Sequence, residues 1–504
     1  MKKVSIILLS IALLTSCVDS LDDYNIDQKK AGVVTAETLY SAALKNLTDI
    51  VTTPSVNSNN LRLYVQHWTT TTYLDEPRYI MTSRTIPQAF WDALYRDVLA
   101  DLKEARRIIE ADQFILPNVK NNQLAQIGIL EVYSWSVLVN SFGDIPYSEA
   151  LDINNSLPEY EDAHTIYLDL LDRLDVALGL LNTTPAAPYT IGFGGGDLLY
   201  NGKTNPISFW VKFGNSLKLK LAMVIADIPA DAARVSKAVT EATRDNGEFL
   251  MKANADNARF PYINDAPNNN PVATNTNSLF TSRQDFLPSN TIIDQMNSTS
   301  DPRRSAWFTL WVATPPEGQP APPGVYKGGT YGQTNTPVTQ FSRLSARIIA
   351  PTAEALLVDY SEVEFLLAEA VERNLIAGDA AVHYNNAITA SLSYWGVAGG
   401  DITAFLAQPA VAYATAPGDW KDKIGTQKWL ALFNRGYDAW VEWRRLDAPA
   451  LVPPTVTNQT YIIPKRLIYP VIEQQVNGAN RNAAVDKLEG GQDVAAVRLF
   501  WDAE

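Results

Sequence analysis

The 504-residue chain contains a single cysteine and three histidines. One thiol excludes an internal disulfide, and it excludes a zinc site built from thiolates, which needs several. His67, His164 and His383 lie far apart in sequence with no partner at metal-ligand spacing, so each reads as a surface or satisfied core histidine. Positive charge is also scarce: 41 Lys and Arg against 55 Asp and Glu give a formal net charge of −14, with no basic block. That excludes nucleic acid as a partner, because binding phosphates requires clustered cations. No Gly-x-Ser-x-Gly elbow occurs, and the run Gly192-Phe193-Gly194-Gly195-Gly196 lacks the Gly-Lys-Ser/Thr ending of a phosphate loop. Beyond the first sixteen residues no apolar run is long enough to span a bilayer. With 46% hydrophobic and 19% charged residues, the composition is that of a folded globular chain rather than a disordered one.

The position of the cysteine gives it a meaning. Met1-Lys2-Lys3, an apolar stretch from Val4 to Leu14, and Thr15-Ser16 lead directly to Cys17. A charged start followed by an apolar segment of this length has the make-up of a signal peptide over residues 1–16, too short for a transmembrane helix. A cysteine right after Leu-Thr-Ser resembles the lipobox of bacterial lipoproteins, which implies that Cys17 is lipidated and opens the mature chain. Each buried acyl methylene contributes roughly 0.8 kcal/mol, so such a terminus holds a protein on a membrane. Residues 17–35 have little periodicity and carry Asp19, Asp22 and Asp23. They read as a flexible acidic tether, and the acidic cluster resembles the surface-export signal of Bacteroidetes lipoproteins.

Helical periodicity dominates the rest of the chain. Trp91, Leu94, Tyr95, Val98, Leu102, Ala105 and Ile109 recur at three and four, one face of an amphipathic helix. Leu124–Val139, a leucine stripe from Ile166 to Leu181, and Trp210–Val224 predict further helices. Ser361 and Glu364 read as a capping box ahead of Phe365, a partner helix is expected over Ala380–Tyr394, and Trp429, Phe433, Tyr437 and Trp440 form one more stripe. These stripes indicate core packing. The expected fold is mainly α: a tetratricopeptide-like scaffold of helix pairs over residues 36–255 and 351–504 of a single domain spanning 36–504. Residues 256–350, rich in Asn, Thr, Pro and Gly, break this rhythm, and are expected to form loops and short strands lying on the scaffold as a ligand face.

Groups suited to catalysis are thin. Asp144, Glu149, Asp265, Asp285 and Glu354 fall in loops or at element ends, where a pair could serve a glycosidase, but loop carboxylates are expected by chance among 55 acids. Aromatic rings beside polar side chains are more telling. Trp68, Tyr73 and Asp75 sit in a polar segment without helical spacing, and Trp307, Trp311, Tyr326 and Tyr331 occupy the long insertion. A flat ring covers the apolar face of a pyranose while neighbouring amides and acids bond its hydroxyls, so these seven are the candidate ligand residues. No cofactor is expected, although Asn264-Asp265 and Asn268-Asn269-Asn270 are oxygen-rich enough for a structural calcium.

Several segments then resemble one family. These are Phe142-Gly143-Asp144-Ile145-Pro146-Tyr147-Ser148-Glu149-Ala150, Trp210-x-x-Phe213-Gly214-Asn215-Ser216-Leu217-Lys218-Leu219-Lys220-Leu221-Ala222, Glu362-Val363-Glu364-Phe365-Leu366-Leu367-Ala368-Glu369-Ala370 and Tyr437-Asp438-Ala439-Trp440-Val441-Glu442-Trp443-Arg444-Arg445. Together with the lipobox they resemble the SusD/RagB family, most closely its SusD-like 2 branch. The resemblance implies a non-enzymatic surface lipoprotein of the outer membrane, lying over a TonB-dependent transporter of the SusC type. It would capture an oligosaccharide or polysaccharide for import. A peptide-binding lid of the same architecture and a surface glycoside hydrolase are the alternatives. The acid surplus favours neutral or basic ligands over polyanions, and a neutral glucan such as laminarin-type β-glucan suits the tryptophans.

Overall fold

The computed structural model describes residues 34–183, 191–315, 317, 319–456 and 459–503. The expected signal peptide, Cys17 and the tether as far as residue 33 lie outside the described residues. The chain opens with α1 (Ala36–Thr52) and the short α2 (Leu61–Tyr64), then enters strand β1 (Trp68–Thr70). Helix α3 (Ile86–Asp92) continues through a π-helical stretch, Ala93–Leu99, into α4 (Ala100–Ala111). The central α5 (Pro117–Phe142) ends at Gly143, whose φ of +88° lets the chain turn where an L side chain would be strained. Strands β2 (Ile145–Pro146) and β3 (Tyr160–Glu161) pair antiparallel before α6 (Ala163–Leu180), α7 (Pro206–Val224) and α8 (Ala232–Gly247).

Residues 256–350 hold β4 (Arg259–Phe260), α9 (Pro271–Thr276), β5 (Phe286–Pro288), α10 (Asn290–Ser298) and α11 (Arg304–Trp307). The chain returns through β6 (Ala355–Leu356) to α12 (Tyr360–Glu372), α13 (Ala380–Tyr394), α14 (Gly399–Leu406), α15 (Trp420–Ala431) and α16 (Gly436–Leu446). A two-stranded ribbon, β7 (Thr455–Val456) with β8 (Gln459–Thr460), and helices α17 (Val471–Val476) and α18 (Gly478–Lys487) complete it. The architecture is mainly helical, with α1 packed on α4, α5 on α6, α7 on α8, α12 on α13 and α15 on α16.

Local chemistry sets the starts of these helices. Asp162, Asn205, Asp359 and Asp379 each accept a hydrogen bond from the first turn they precede, and Pro206 opens α7 where its missing N–H costs nothing. Asp419 and Asp422 form a reciprocal capping box on α15. Two expectations are corrected. The cap of α12 is Asp359, not Ser361: the Ser361 hydroxyl donates instead to the Ala387 carbonyl, and Glu364 accepts from His383 at 2.7 Å. The stripe from Trp429 to Trp440 is not one helix but two, broken where Asn434 adopts φ +69°.

Many charges of the family-like segments prove to be interior. Lys220 on α7 meets Glu362 of α12 at 2.8 Å and also pairs with Asp438 of α16. Arg435 joins Glu362 at 2.7 Å and Asp438 at 2.8 Å. Further along α16, Glu442 meets Arg445 at 2.5 Å and Lys428 of α15 at 2.7 Å. Arg445 also pairs with Glu369 on α12, which holds Arg373 at 2.7 Å, and Arg373 reaches Asp227 beyond α7 at 2.6 Å. Asp438, Glu442 and Arg445 recur at four and three, so one face of α16 presents all three charges, while Trp440 and Arg444 occupy another. Arg444 lies 3.6 Å from the Trp440 ring and 4.7 Å from that of Trp501, and donates to the Lys465 and Asn140 carbonyls.

Burial works to raise the Glu442 carboxyl, but the Arg445 and Lys428 charges outweigh it and bring it down to about 2. The Glu362 carboxyl is lowered in the same way by Lys220 and Arg435. A carboxyl depressed on folding stabilises above its unfolded value and loses that contribution as pH falls toward the folded value. Unfolding by urea is therefore expected to become easier from about pH 5 downward, with a shallower acid slope in Glu442→Gln. Arg445→Ala, which takes one cation from each of two buried carboxylates and leaves Glu442 with Lys428 and Glu369 with Arg373, is expected to destabilise by about 3 kcal/mol in the same titration.

Candidate functional site

The seven rings and acids expected to face ligand separate into two groups. Trp68, Trp307 and Tyr331 are buried, which corrects their assignment to the ligand face. Trp68 lies in β1, paired antiparallel with β5 opposite Pro288, its ring 5.6 Å from Phe286 and under the Arg62 guanidinium at 5.4 Å. Trp307 ends α11 and stacks on Phe433 at 4.3 Å, with Trp395 against it edge-on. The Tyr331 hydroxyl donates to the Leu63 carbonyl and its ring neighbours Tyr79 at 6.1 Å. These rings fasten the insertion to the helices, because a segment with few regular hydrogen bonds needs large apolar groups to hold it down.

The other four remain at the surface. Tyr73 is half-buried, with the guanidiniums of Arg84 and Arg283 at 5.0 and 5.1 Å from its ring centre, and Asp75 is exposed. Trp311 is half-buried: its indole N–H donates to the Thr339 carbonyl at 2.9 Å, and the Lys327 ammonium stands 4.3 Å from its ring. Tyr326 is half-buried beneath Arg304 at 5.1 Å. Three short extended stretches build the layer under Trp311. Phe308 bridges to Leu344, Trp311 to Val325, and the Ser342 N–H donates to the Lys327 carbonyl at 2.8 Å.

Between Tyr73 and Trp311 lies a cleft that the sequence did not reveal. Phe286, Leu344 and Ile349 line it with Thr276, Gln284, Asp285 and Arg343. Arg283 links it to the Tyr73 ring, pairing with Asp285 at 3.0 Å, and the Thr71 N–H donates to the Asp285 carbonyl. At the other end Arg343 exchanges hydrogen bonds with Thr309, two residues before Trp311. Tyr73 and Trp311 are thus connected to the residues of the cleft through Arg283 and Thr309, a strip of linked contacts. Burial raises the Asp285 carboxyl, with Arg283 pulling the other way, and burial lowers the Arg343 guanidinium. Asp285 is visible in the sequence only as a loop acid. The signal for the rest is Arg283-Gln284-Asp285 running straight into the apolar Phe286-Leu287, a polar rim beside a floor.

The other candidate groups serve local structure. Asp144 accepts from the first N–H of α6, Glu149 from Asn155, and Glu354 from the Tyr394 hydroxyl. Asp265 closes a turn through its carbonyl, Asn270 caps α9, and Asn269 donates to Thr274 at 2.8 Å. No cluster of His, Cys, Asp and Glu able to hold a metal occurs among the described residues. His67 is buried between Trp429 and Phe433, and burial lowers it to about 3. His164 bonds Asp231 and His383 bonds Glu364, each at 2.7 Å.

A helix-pair scaffold with a loop-built, aromatic-edged cleft defines a class of fold with a candidate binding face rather than one chemistry. The sequence profile of the SusD-like 2 family, described as starch-binding and associating with the outer membrane, matches residues 27–470, and the chain belongs to that family. A comparison with curated proteins finds no match. Among solved structures, a chitin-binding protein superimposes with a TM-score of 0.77 at 26% identity, over 93% of this chain and all of its own. A SusD homologue of Bacteroides fragilis matches at 0.75 and 22%, covering 93% and 99% of the two chains. A chitin-binding SusD homologue of Flavobacterium johnsoniae matches at 0.73 and 22%, over 92% and 99%. The family is carbohydrate-binding and associated with the outer membrane, and no helix among the described residues is long and apolar enough to cross a membrane.

The two groups of rings should respond differently to truncation. Trp68→Ala and Trp307→Ala are expected to lose about 3–5 kcal/mol in urea unfolding, as large core deletions do. Trp311→Ala should stay within about 1 kcal/mol of the parent.

Proposed function

We propose that this protein captures oligo- or polysaccharide at the cell surface and delivers it to a TonB-dependent transporter of the SusC type, without cleaving it. The observation that carries this reading is the strip from Tyr73 through the Phe286 cleft to Trp311. It sets an apolar floor and half-buried rings beside amide, hydroxyl, carboxylate and guanidinium groups, the combination that grips pyranose faces and hydroxyls together. Tyr73, Asp75, Trp311 and Tyr326 are its proposed ligand residues. Two relatives named as chitin-binding support a β-linked, mainly neutral glycan, and the net charge of −14 weighs against polyanions. A laminarin-type β-glucan is the proposed backbone. Lipidation at Cys17 would anchor the protein, with residues 17–35 as the tether between membrane and fold.

Two experiments test this. In native affinity electrophoresis and calorimetry against laminarin, chitin oligosaccharides and starch, at least one glycan should retain the protein. Tyr73→Ala with Trp311→Ala should abolish retention and leave thermal melting unchanged. Release of reducing sugar by the purified protein would make it a hydrolase, and indifference to every glycan with co-purifying peptide would make it a peptide-binding lid. Separately, Cys17→Ala in the full chain should move the protein from the membrane fraction to the soluble fraction; unchanged membrane recovery would remove the lipid anchor.

A further inference from the structure

The cleft contains a charge that nothing in the fold explains. Arg343 is half-buried, and its side chain makes one hydrogen bond among the described residues, from Nη1 to the neutral Gln284 Oε1 at 3.0 Å. An arginine has five N–H donors, so most of this fork, at the solvent-exposed mouth of the cleft, has no protein partner among the described residues. Its neighbours in the insertion are differently placed. Arg283 pairs with Asp285, Arg303 with Asp301, and Arg259 with Glu354. Arg347 spends both terminal nitrogens on the Tyr394 and Trp395 carbonyls, and Arg304 bonds Asn297 and the Asp301 carbonyl. Asp285, the one acid lining the cleft among the described residues, is already matched by Arg283. Half-burying a guanidinium without a counter-charge is unfavourable, and the loss is recovered when an oxyanion arrives, above all one that can meet the fork in two places.

We propose that the cleft at Arg343 is a subsite for an acidic substituent on an otherwise neutral glycan: the carboxylate of a uronic acid or a sulfate ester. The proposal rests on the glycan-capture reading and adds the ligand's charge to it. Phe286, Leu344 and Ile349 would cover the apolar face of the substituted ring, while Gln284 and Thr276 bond its hydroxyls. Arg343 is the one uncompensated cation lining the cleft among the described residues, so the site suits one acid within a neutral stretch and not a polyanion. The overall charge of −14 does not forbid this. At physiological ionic strength remote charges are screened beyond about 8 Å, and a contact inside the cleft is governed by its immediate neighbours. Burial itself lowers the Arg343 guanidinium from its ordinary value, in keeping with a cation short of partners.

The test is calorimetry of the full mature chain with two matched pairs of probes. One is an aldotetraouronic acid against its carboxyl-reduced form; the other is laminari-oligosaccharide lightly oxidised at C6, or lightly sulfated, against the untreated parent. The acidic member of at least one pair should bind about tenfold more tightly, a gap that narrows with salt. Arg343→Gln should erase that gap with thermal melting as in the parent, and Arg343→Lys should keep part of it. Preference for carboxylated over sulfated probes, or the reverse, identifies the source of the oxyanion. Equal binding of acidic and neutral members, or a preference that survives Arg343→Gln, overturns the proposal and leaves glycan capture standing. Failure of every glycan, neutral or acidic, overturns both.

Discussion

The lattice of buried ion pairs joining α7, α12, α15 and α16 is the constraint on which the rest of the structure depends. Lys220, Glu362, Arg435 and Asp438 close one cell of it; Lys428, Glu442, Arg445, Glu369 and Arg373 close the next. Buried pairs of this kind are weak sources of net stability, since removing ions from water costs about as much as pairing them returns. Their effect is directional. An apolar stripe tolerates sliding and rotation, but a carboxylate that must meet two cations from two other elements fixes axial position and rotation together. α16 has little freedom left once its charged face is matched, and Arg444 fixes it from the opposite side between two tryptophans.

That explains which parts of the fold were legible. The helices announced themselves through three-and-four spacing, because each buries one face. The family-like segments were legible as patterns, but the burial of their charges was not: Glu362, Glu369, Asp438 and Arg445 sit in helices, where exposed acids and bases are ordinary. Only pairing across helices distant in sequence makes them interior, and sequence spacing carries no information about a partner far along the chain. The cap of α12 was missed for a smaller reason of the same type. Asp359 and Ser361 are both competent N-caps; the Asp359 carboxylate accepts from the Glu362 N–H while also meeting Arg435, and the Ser361 hydroxyl is committed to the Ala387 carbonyl.

The site was half legible. That aromatic residues in the non-helical segments would matter was visible; which of them face outward was not. Trp68 and Trp311 look alike in sequence, each close to threonine in a segment without helical spacing. Trp68 falls in a strand whose three residues are all buried, and Trp311 in a bridge at the edge of a thin layer. The difference is made by β5 and by Val325, which belong to other parts of the chain. Arg343 was invisible for a further reason. An unpaired arginine is defined by the absence of neighbours, and absence cannot be read before the neighbours are placed.

Frame and ligand face are thereby held by different forces. The ion lattice and the stripes lie within the helical scaffold, and residues 256–350 contribute none of the charges named in it. The insertion is held instead by a few large contacts: Trp307 on Phe433, Tyr331 on Leu63, and the β1–β5 and β4–β6 pairs. None of those contacts uses the side chain of Gln284, Asp285, Trp311 or Arg343, whose hydrogen bonds and ion pairs lie at the exposed surface of the insertion. Side chains on that outer surface can change without disturbing register in the scaffold, because no helix is positioned by them. A fold arranged in this way keeps the shape of its frame while the chemistry of its ligand face varies, and it is consistent with a shared architecture at sequence identities of 22–26% among its solved relatives. The ligand must accordingly be inferred from the residues of this cleft rather than from the family's frame, and in this cleft the residue without a structural explanation is Arg343.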